Sequence, residues 1–361
     1  LIGPLADTRN NIAGTWSVAQ TPEKYATVKE AMENALKGKA TLLYTQGCNI
    51  WRNRQLQKNG EFDKPLNWGD ENELKKEALK IAKEADVIVC AMGESADMSG
   101  ECGSRTNLEM PDVQHELLAE LVKLGKPVVL LNFAGRPTVL SWEKQYVPAI
   151  MNVWFGGSEM GDALCDVIFG DKVPSGKLTT SMPKTTGQAP IYYNHQNTGR
   201  PVPDDNKEFA KYASNCLDVS NGPLYPFGYG LSYTTFEYSN FKLSSQEADI
   251  NGNQEATEWQ NGKKITATVT VKNTGARDAD EVVQLYIRDM VASISRPVKE
   301  LKGFQRIHLI AGESKEVSFE ITPDMLKFYN IELKHVIEPG DFQIMVGANS
   351  REVKTLNFTV K

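Results

Sequence analysis

Residues 86–133 read DVIVCAMGESADMSGECGSRTNLEMPDVQHELLAELVKLGKPVVLLNF. Asp86–Ala91 is almost wholly apolar and too short for a buried helix, the pattern of a strand covered on both faces. Gly93–Pro111 then turns polar and glycine-rich. Asp112–Leu124 has helical periodicity, and Pro127–Phe133 is a second apolar strand. Strand, loop, helix and strand in that order make a βαβ unit, whose strands run parallel.

The same alternation extends outward. Residues 24–37 place Tyr25, Val28, Met32 and Ala35 at helical spacing, and Ala40–Tyr44 is expected as a strand. Residues 71–84 form an amphipathic helix with Leu74, Ala78, Ile81 and Ala82 inward. Val147–Trp154 is a further strand, Glu159–Phe169 a helix ended by Gly170, and Gly176–Ser181 a final edge strand. Leu1–Ala6 reads as a strand entering a turn. The first fold class is therefore α/β, a mostly parallel sheet with helices on both faces. Ligands of such sheets bind beyond the carboxyl ends of the strands, where Gly93–Pro111, Ala134–Pro137 and Phe155–Glu159 fall.

Residues 183–240 lose this periodicity, and Pro, Gly, Tyr and Asn concentrate there. Asn221–Tyr233 is too aromatic for a disordered linker and is expected to pack on a domain surface. From about residue 241 the period becomes two. Ile265–Val271, Glu281–Arg288, Lys299–His308, Glu316–Thr322 and Gly340–Val346 read as short strands of an all-β sandwich. The expected domains are residues 1–215, a connector over 216–245, and residues 246–361.

The 361 residues carry 40 Lys and Arg against 46 Asp and Glu, a net charge of −6. No basic stretch favours nucleic acid, and no apolar run reaches the ~20 residues of a membrane helix. Cys48, Cys90, Cys102, Cys165 and Cys216 form no CxxC pair, and the four histidines never fall at metal-ligand spacing, so neither a disulfide framework nor a metal or other cofactor is expected. The sequence opens LIGPLA, without Met or a signal peptide, and is expected to be a processed form or an excised piece.

For chemistry, Gly93–Pro111 is the richest segment, gathering carboxylates, small residues and Arg105 at a strand end. Taken alone it reads first as a polar crossover loop and second as a loop that holds a functional carboxylate. Residues 154–161 resemble neither GxGxxG nor a Walker A loop, which weakens a nucleotide-binding reading. Cys102 has no base near it in sequence. Trp154 and Phe155 are a sugar platform or, more simply, buried strand-end aromatics.

These residues reach a family. Asn221–Phe236 (NGPLYPFGYGLSYTTF) is similar to a signature of glycoside hydrolase family 3, the β-glucosidase and β-xylosidase group. Leu1–Trp16 resembles the entry to that family's second domain, and Gly93–Pro111 (GES…SGE…SR…L…P) its acid/base loop. Lys177–Pro183 and Tyr193–Pro201 also resemble family segments, and Thr268–Tyr286 its fibronectin type III-like domain.

The resemblance implies retaining removal of β-linked sugars from non-reducing ends, by two carboxyl groups about 5–5.5 Å apart. In the family the nucleophile is an Asp of an N-terminal TIM-like barrel, and the acid/base is often a Glu on the following domain's loop. No SDW-like nucleophile motif occurs in this sequence. The chain is therefore expected to supply the acid/base, need the barrel as partner, and be inactive alone. Glu101 is the first expectation for the acid/base and Glu94, nearer the strand end, the alternative. Arg105 and Ser99 are expected to touch substrate or steady the loop. The substrate implied is a β-glucoside, with a β-xyloside second and a non-catalytic sugar-binding or structural module as the other class. A periplasmic or secreted location follows from the family alone, and the scattered cysteines fit it poorly.

Overall fold

A computed structural model describes residues 1–361 except Val18, Phe62, Asp63 and Lys207. It divides into two units. The first comprises Leu1–Lys172 and Pro183–Ala189, and the second Val173–Met182 and Pro190–Lys361. This partition assigns 190–215, and the whole 216–245 connector, to the second unit.

The first unit contains α1 (Val28–Leu36), α2 (Arg54–Asn59), α3 (Glu71–Glu84), β1 (Ile88–Gly93), α4 (Asp112–Val122), β2 (Val128–Phe133), α5 (Ser141–Tyr146), β3 (Ala149–Asn152) and α6 (Met160–Ile168). The three strands run parallel in the order β1-β2-β3. Ile2 extends the sheet past β1, bridging Cys90 on one side and Thr45 on the other, both in parallel sense.

Alternation along β1 explains why its sequence is apolar throughout. Ile88, Cys90 and Met92 face Ala78 and Ile81 of α3 and Leu117, Leu118 and Leu121 of α4. Val89 and Ala91 face Val28, Ala31 and Met32 of α1 and Met160 and Leu164 of α6. Each fully buried leucine stabilises the fold by about 1.5–3 kcal/mol. Helix starts are set locally. Thr27 and Glu30 form a capping box on α1, and the Asp70 carboxylate accepts from the Asn72 and Glu73 amides at the start of α3.

Two expected strands are corrected. Ala40–Tyr44 forms no ladder, and only the next residue, Thr45, is bridged, to Ile2. Gly176–Ser181 is no edge strand of the first sheet. It lies in the second unit, where the Leu178 amide donates to Tyr229 O at 2.8 Å and the Gly228 amide to Leu178 O at 2.7 Å.

The second unit is a β-sandwich. Its large sheet comprises β5 (Glu247–Ala248), β13 (Val353–Val360), β12 (Gly340–Gly347), β7 (Ala279–Asp289) and β8 (Glu300–Leu309), in that spatial order. Its small sheet is β4 (Phe236–Leu243), β6 (Ile265–Asn273) and β9 (Ser314–Ile321), and β10 (Phe328–Tyr329) pairs with β11 (His335–Val336) as a separate antiparallel ladder. A single core joins them, with Val269 and Phe319 from one sheet meeting Leu285, Ile344 and Phe358 from the other. The aromatic segment packs on this unit as expected: the Phe227 ring stacks on Tyr193 at 4.2 Å, and Tyr193 meets Tyr286 edge-on.

Candidate active site

β1 ends on Gly93, whose φ is +128°. A Cβ there would lie 2.0 Å from the Phe133 carbonyl oxygen, so only glycine lets the chain leave the sheet this close to β2. The buried Gln114 side chain holds the exit, accepting from the Gly93 amide at 2.8 Å and donating to Gly93 O at 2.9 Å. Glu94 is thereby turned inward and is 1% exposed.

Glu94 is fully partnered. Arg105 Nη1 donates to Oε1 at 2.7 Å, Arg136 Nε to Oε2 at 3.2 Å, and the Gly135 amide to Oε2 at 3.3 Å. Arg105 also donates to Glu109 O at 2.9 Å and lies over the Trp51 ring. Two strand-end loops thus meet at one buried carboxylate.

The near leg of the loop is pinned along its length. The Ala96 amide donates to Asn11 Oδ1 at 2.8 Å, Ser95 Oγ to Gly60 O at 2.8 Å, and Thr15 Oγ1 to Ser99 O at 2.9 Å. Lys64 and Asp97 form a buried ion pair at 3.0 Å. Ser99 is 8% exposed and its hydroxyl donates to Ala96 O. A Cβ at residue 135 would sit 2.0 Å from Ser99 Oγ, so Gly135 is what admits the Ser99 side chain.

At the tip, the Gly103 amide donates to Gly100 O at 3.2 Å, closing a tight turn with Glu101 and Cys102 at its centre. Cys102, the third residue of this turn, takes φ +60°, the left-handed conformation that type II turns place there. Glu101 is exposed and has no hydrogen-bond or ion-pair partner among the described residues.

The two glutamates named from the sequence therefore occupy opposite environments. Glu94 is engaged on every oxygen, whereas Glu101 is open on a braced turn. Arg105 steadies a carboxylate, and Ser99 braces the loop. Arg136 is the residue that sequence reasoning left without a role. Its place in a strand-end segment, Ala134–Pro137, was the available signal. Phe155 packs against Gly14 and Gly135. All five cysteines are free; Cys48, Cys90 and Cys165 are buried, and burial pushes the Cys165 thiol up to about 11. Among the described residues no group of three or more His, Cys, Asp or Glu side chains is placed to hold a metal ion. No helix among them is long and apolar enough to cross a membrane.

Comparison with known proteins gives the class first. Residues 1–233 match the glycosyl hydrolase family 3 C-terminal domain, and residues 281–350 a fibronectin type III-like domain. The chain belongs to glycosyl hydrolase family 3. It is 43% identical to the periplasmic beta-glucosidase of Salmonella typhimurium over 99% of this chain and 46% of that protein. It is 37% identical to a beta-xylosidase of Formosa agariphila over 100% of this chain and 46% of that one. Among solved structures, the beta-glucosidase of Listeria innocua in complex with isofagomine superposes with a TM-score of 0.83 at 35% identity, covering 99% of this chain and 45% of that one. The chain thus spans a little under half the length of these relatives.

Proposed function

We propose that this chain is the C-terminal portion of a retaining, exo-acting β-glycosidase that removes terminal β-D-glucosyl residues, and that Glu101 is its general acid/base. One observation carries the assignment. Glu94 and Asp97 are both tied up in buried ion pairs, while Glu101 stands exposed and unpartnered on a turn whose base is fixed. A residue that gives a proton to the leaving oxygen and then takes one from water needs free oxygens and a fixed position.

The second carboxylate, which attacks the anomeric carbon, is assigned to a part of the enzyme outside this sequence. A chain spanning 46% of its relatives leaves room for it. In the first step Glu101 protonates the glycosidic oxygen as the nucleophile forms the glycosyl-enzyme bond. In the second it removes a proton from the water that breaks that bond. Glu94, Arg105, Arg136 and Ser99 act in this reading as the frame. A β-glucoside is favoured by the Salmonella and Listeria relatives, and the Formosa relative supports a β-xyloside as the second reading. The relative's periplasmic location supports a periplasmic or secreted one here.

The test is hydrolysis of p-nitrophenyl β-glucoside by this chain alone and by the chain co-expressed with the unmatched N-terminal half of the Salmonella relative. Activity only in the pair, lost on Glu101→Gln, supports the reading. Activity in the chain alone contradicts the division of the two carboxylates.

A further inference from the structure

We propose that Arg136 is a positioning residue for Glu101, closing the neck of the loop that carries it; its catalytic consequence rests on the acid/base reading above. Arg136 Nη2 donates to two backbone carbonyls at once, Met98 O and Gly103 O, the second at 2.5 Å. These carbonyls flank Glu101 on either side of the tip. The same guanidinium places Nε 3.1 Å from Glu94 Oε1. One rigid, planar group therefore joins the exit from β1, the near leg and the far leg of the loop.

The other braces do not replace it. Asn11, Thr15, Gly60 and Lys64 all bond residues no further along than Ser99. Arg105 ties the far leg to Glu94 but makes no bond to the near leg. Without Arg136, the tie between Met98 O and Gly103 O is lost, and the Gly103 amide bond to Gly100 O, left to hold the tip unaided, opens more often. A misplacement of about 1 Å in a proton donor lowers a rate by about a hundredfold. Arg136 touches no reacting atom in this account. It acts by fixing where the Glu101 carboxyl is presented.

The test uses Arg136→Lys, which keeps a positive charge beside Glu94 but lacks the planar group whose Nε and Nη2 reach the carboxylate and both carbonyls at once. The first readout is amide hydrogen exchange in this chain. Exchange at the Gly103 amide is expected to quicken about tenfold or more, while the amides of β1 and β2 keep their protection and so report an intact fold. Glu101→Gln is the control and should leave Gly103 exchange unchanged. The second readout is leaving-group dependence in the co-expressed enzyme. The kcat/KM for an alkyl β-glucoside, whose departure needs a proton, should fall about ten- to a hundredfold. The kcat/KM for 2,4-dinitrophenyl β-glucoside, which reads only the first step and whose leaving group departs without a proton, should fall much less. Unchanged Gly103 exchange overturns the clasp, and equal losses on both substrates overturn its role in positioning. If Glu101→Gln itself shows no leaving-group dependence, the acid/base reading fails, while the exchange result still decides the clasp.

Discussion

Arg105 Nη1 lies 2.7 Å from Glu94 Oε1, and the two side chains are 9% and 1% exposed. With Arg136 on the same carboxylate, Glu94 places one buried negative charge against two guanidiniums. Removing one partner of a buried ion pair costs about 3–5 kcal/mol. Glu94→Gln is therefore expected to destabilise the first unit by about 3 kcal/mol, read as a lowered urea midpoint with loss of protection in β1. Glu101→Gln, at an exposed and unpartnered site, should move stability by less than about 0.5 kcal/mol. Equal stability in the two variants would contradict the environments described.

Gly93→Ala tests how the loop leaves the sheet. The alanine would take φ +128° with its Cβ 2.0 Å from Phe133 O. Strain in that region costs about 1–3 kcal/mol before any clash is counted. We expect a loss of at least about 3 kcal/mol in chemical denaturation, and a wild-type midpoint would refute the strained exit.

His115 gives a dependence on pH with a definite sign. Its Nδ1 lies 3.3 Å from Glu143, whose side chain is 3% exposed, and its ring meets Trp142 edge-on. The hydrogen bond to Glu143 raises the His115 pKa above its usual value, against the opposing effect of burial; Glu109 and Glu116 add to the rise. A raised folded pKa means the protonated form favours folding. That contribution is complete below the unfolded value near 6.5 and is lost as pH rises through the folded one. The difference in Tm between the native chain and His115→Gln should be largest at pH 5.5 and shrink toward pH 9. A gap that is constant across this range would show the ring acts by packing alone.

In the second unit, Lys177 Nζ sits 3.1 Å from Glu281 Oε2, and the Tyr238 hydroxyl donates to Glu281 Oε1 at 2.9 Å. Burial first, then the Glu281 charge, pushes the Tyr238 hydroxyl far up, so it stays a donor. Lys177→Met leaves Glu281 with a neutral partner only. A loss of about 3 kcal/mol is expected, visible as faster amide exchange in β7. Unaltered exchange there would show the pair contributes no net stability.

Long, periodic or wholly apolar segments were readable from the sequence. The helix over 71–84 and the strands at 88–93 and 128–133 are dictated by local pattern and by burial on two faces. Short elements were not. α2 and α5 span six residues each, too few for a helical period to stand out. β13 (VKTLNFTV) has only Leu356 and Phe358 as large apolar side chains between polar residues, so its pattern is weak even though a Gly-Ala-Asn-Ser turn precedes it. Gly176–Ser181 reads like an edge strand, but its backbone partners lie at residues 228 and 229 and the carboxylate that Lys177 meets lies at residue 281. The same holds at the site. Glu101 and Glu94 share one loop and one residue type. Contacts from residues distant in sequence, Gln114 at the strand exit and Gly135 and Arg136 on the carboxylate, help to separate a buried anchor from an open acid.

The most direct test of the central claim is the initial rate of p-nitrophenyl β-glucoside hydrolysis by the co-expressed enzyme, with and without Glu101→Gln, at matched folded concentration. The account predicts no turnover by this chain alone, turnover by the pair, and a loss of about a hundredfold or more on Glu101→Gln with an unchanged Tm. A Glu101→Gln enzyme that retains the parent rate would contradict it.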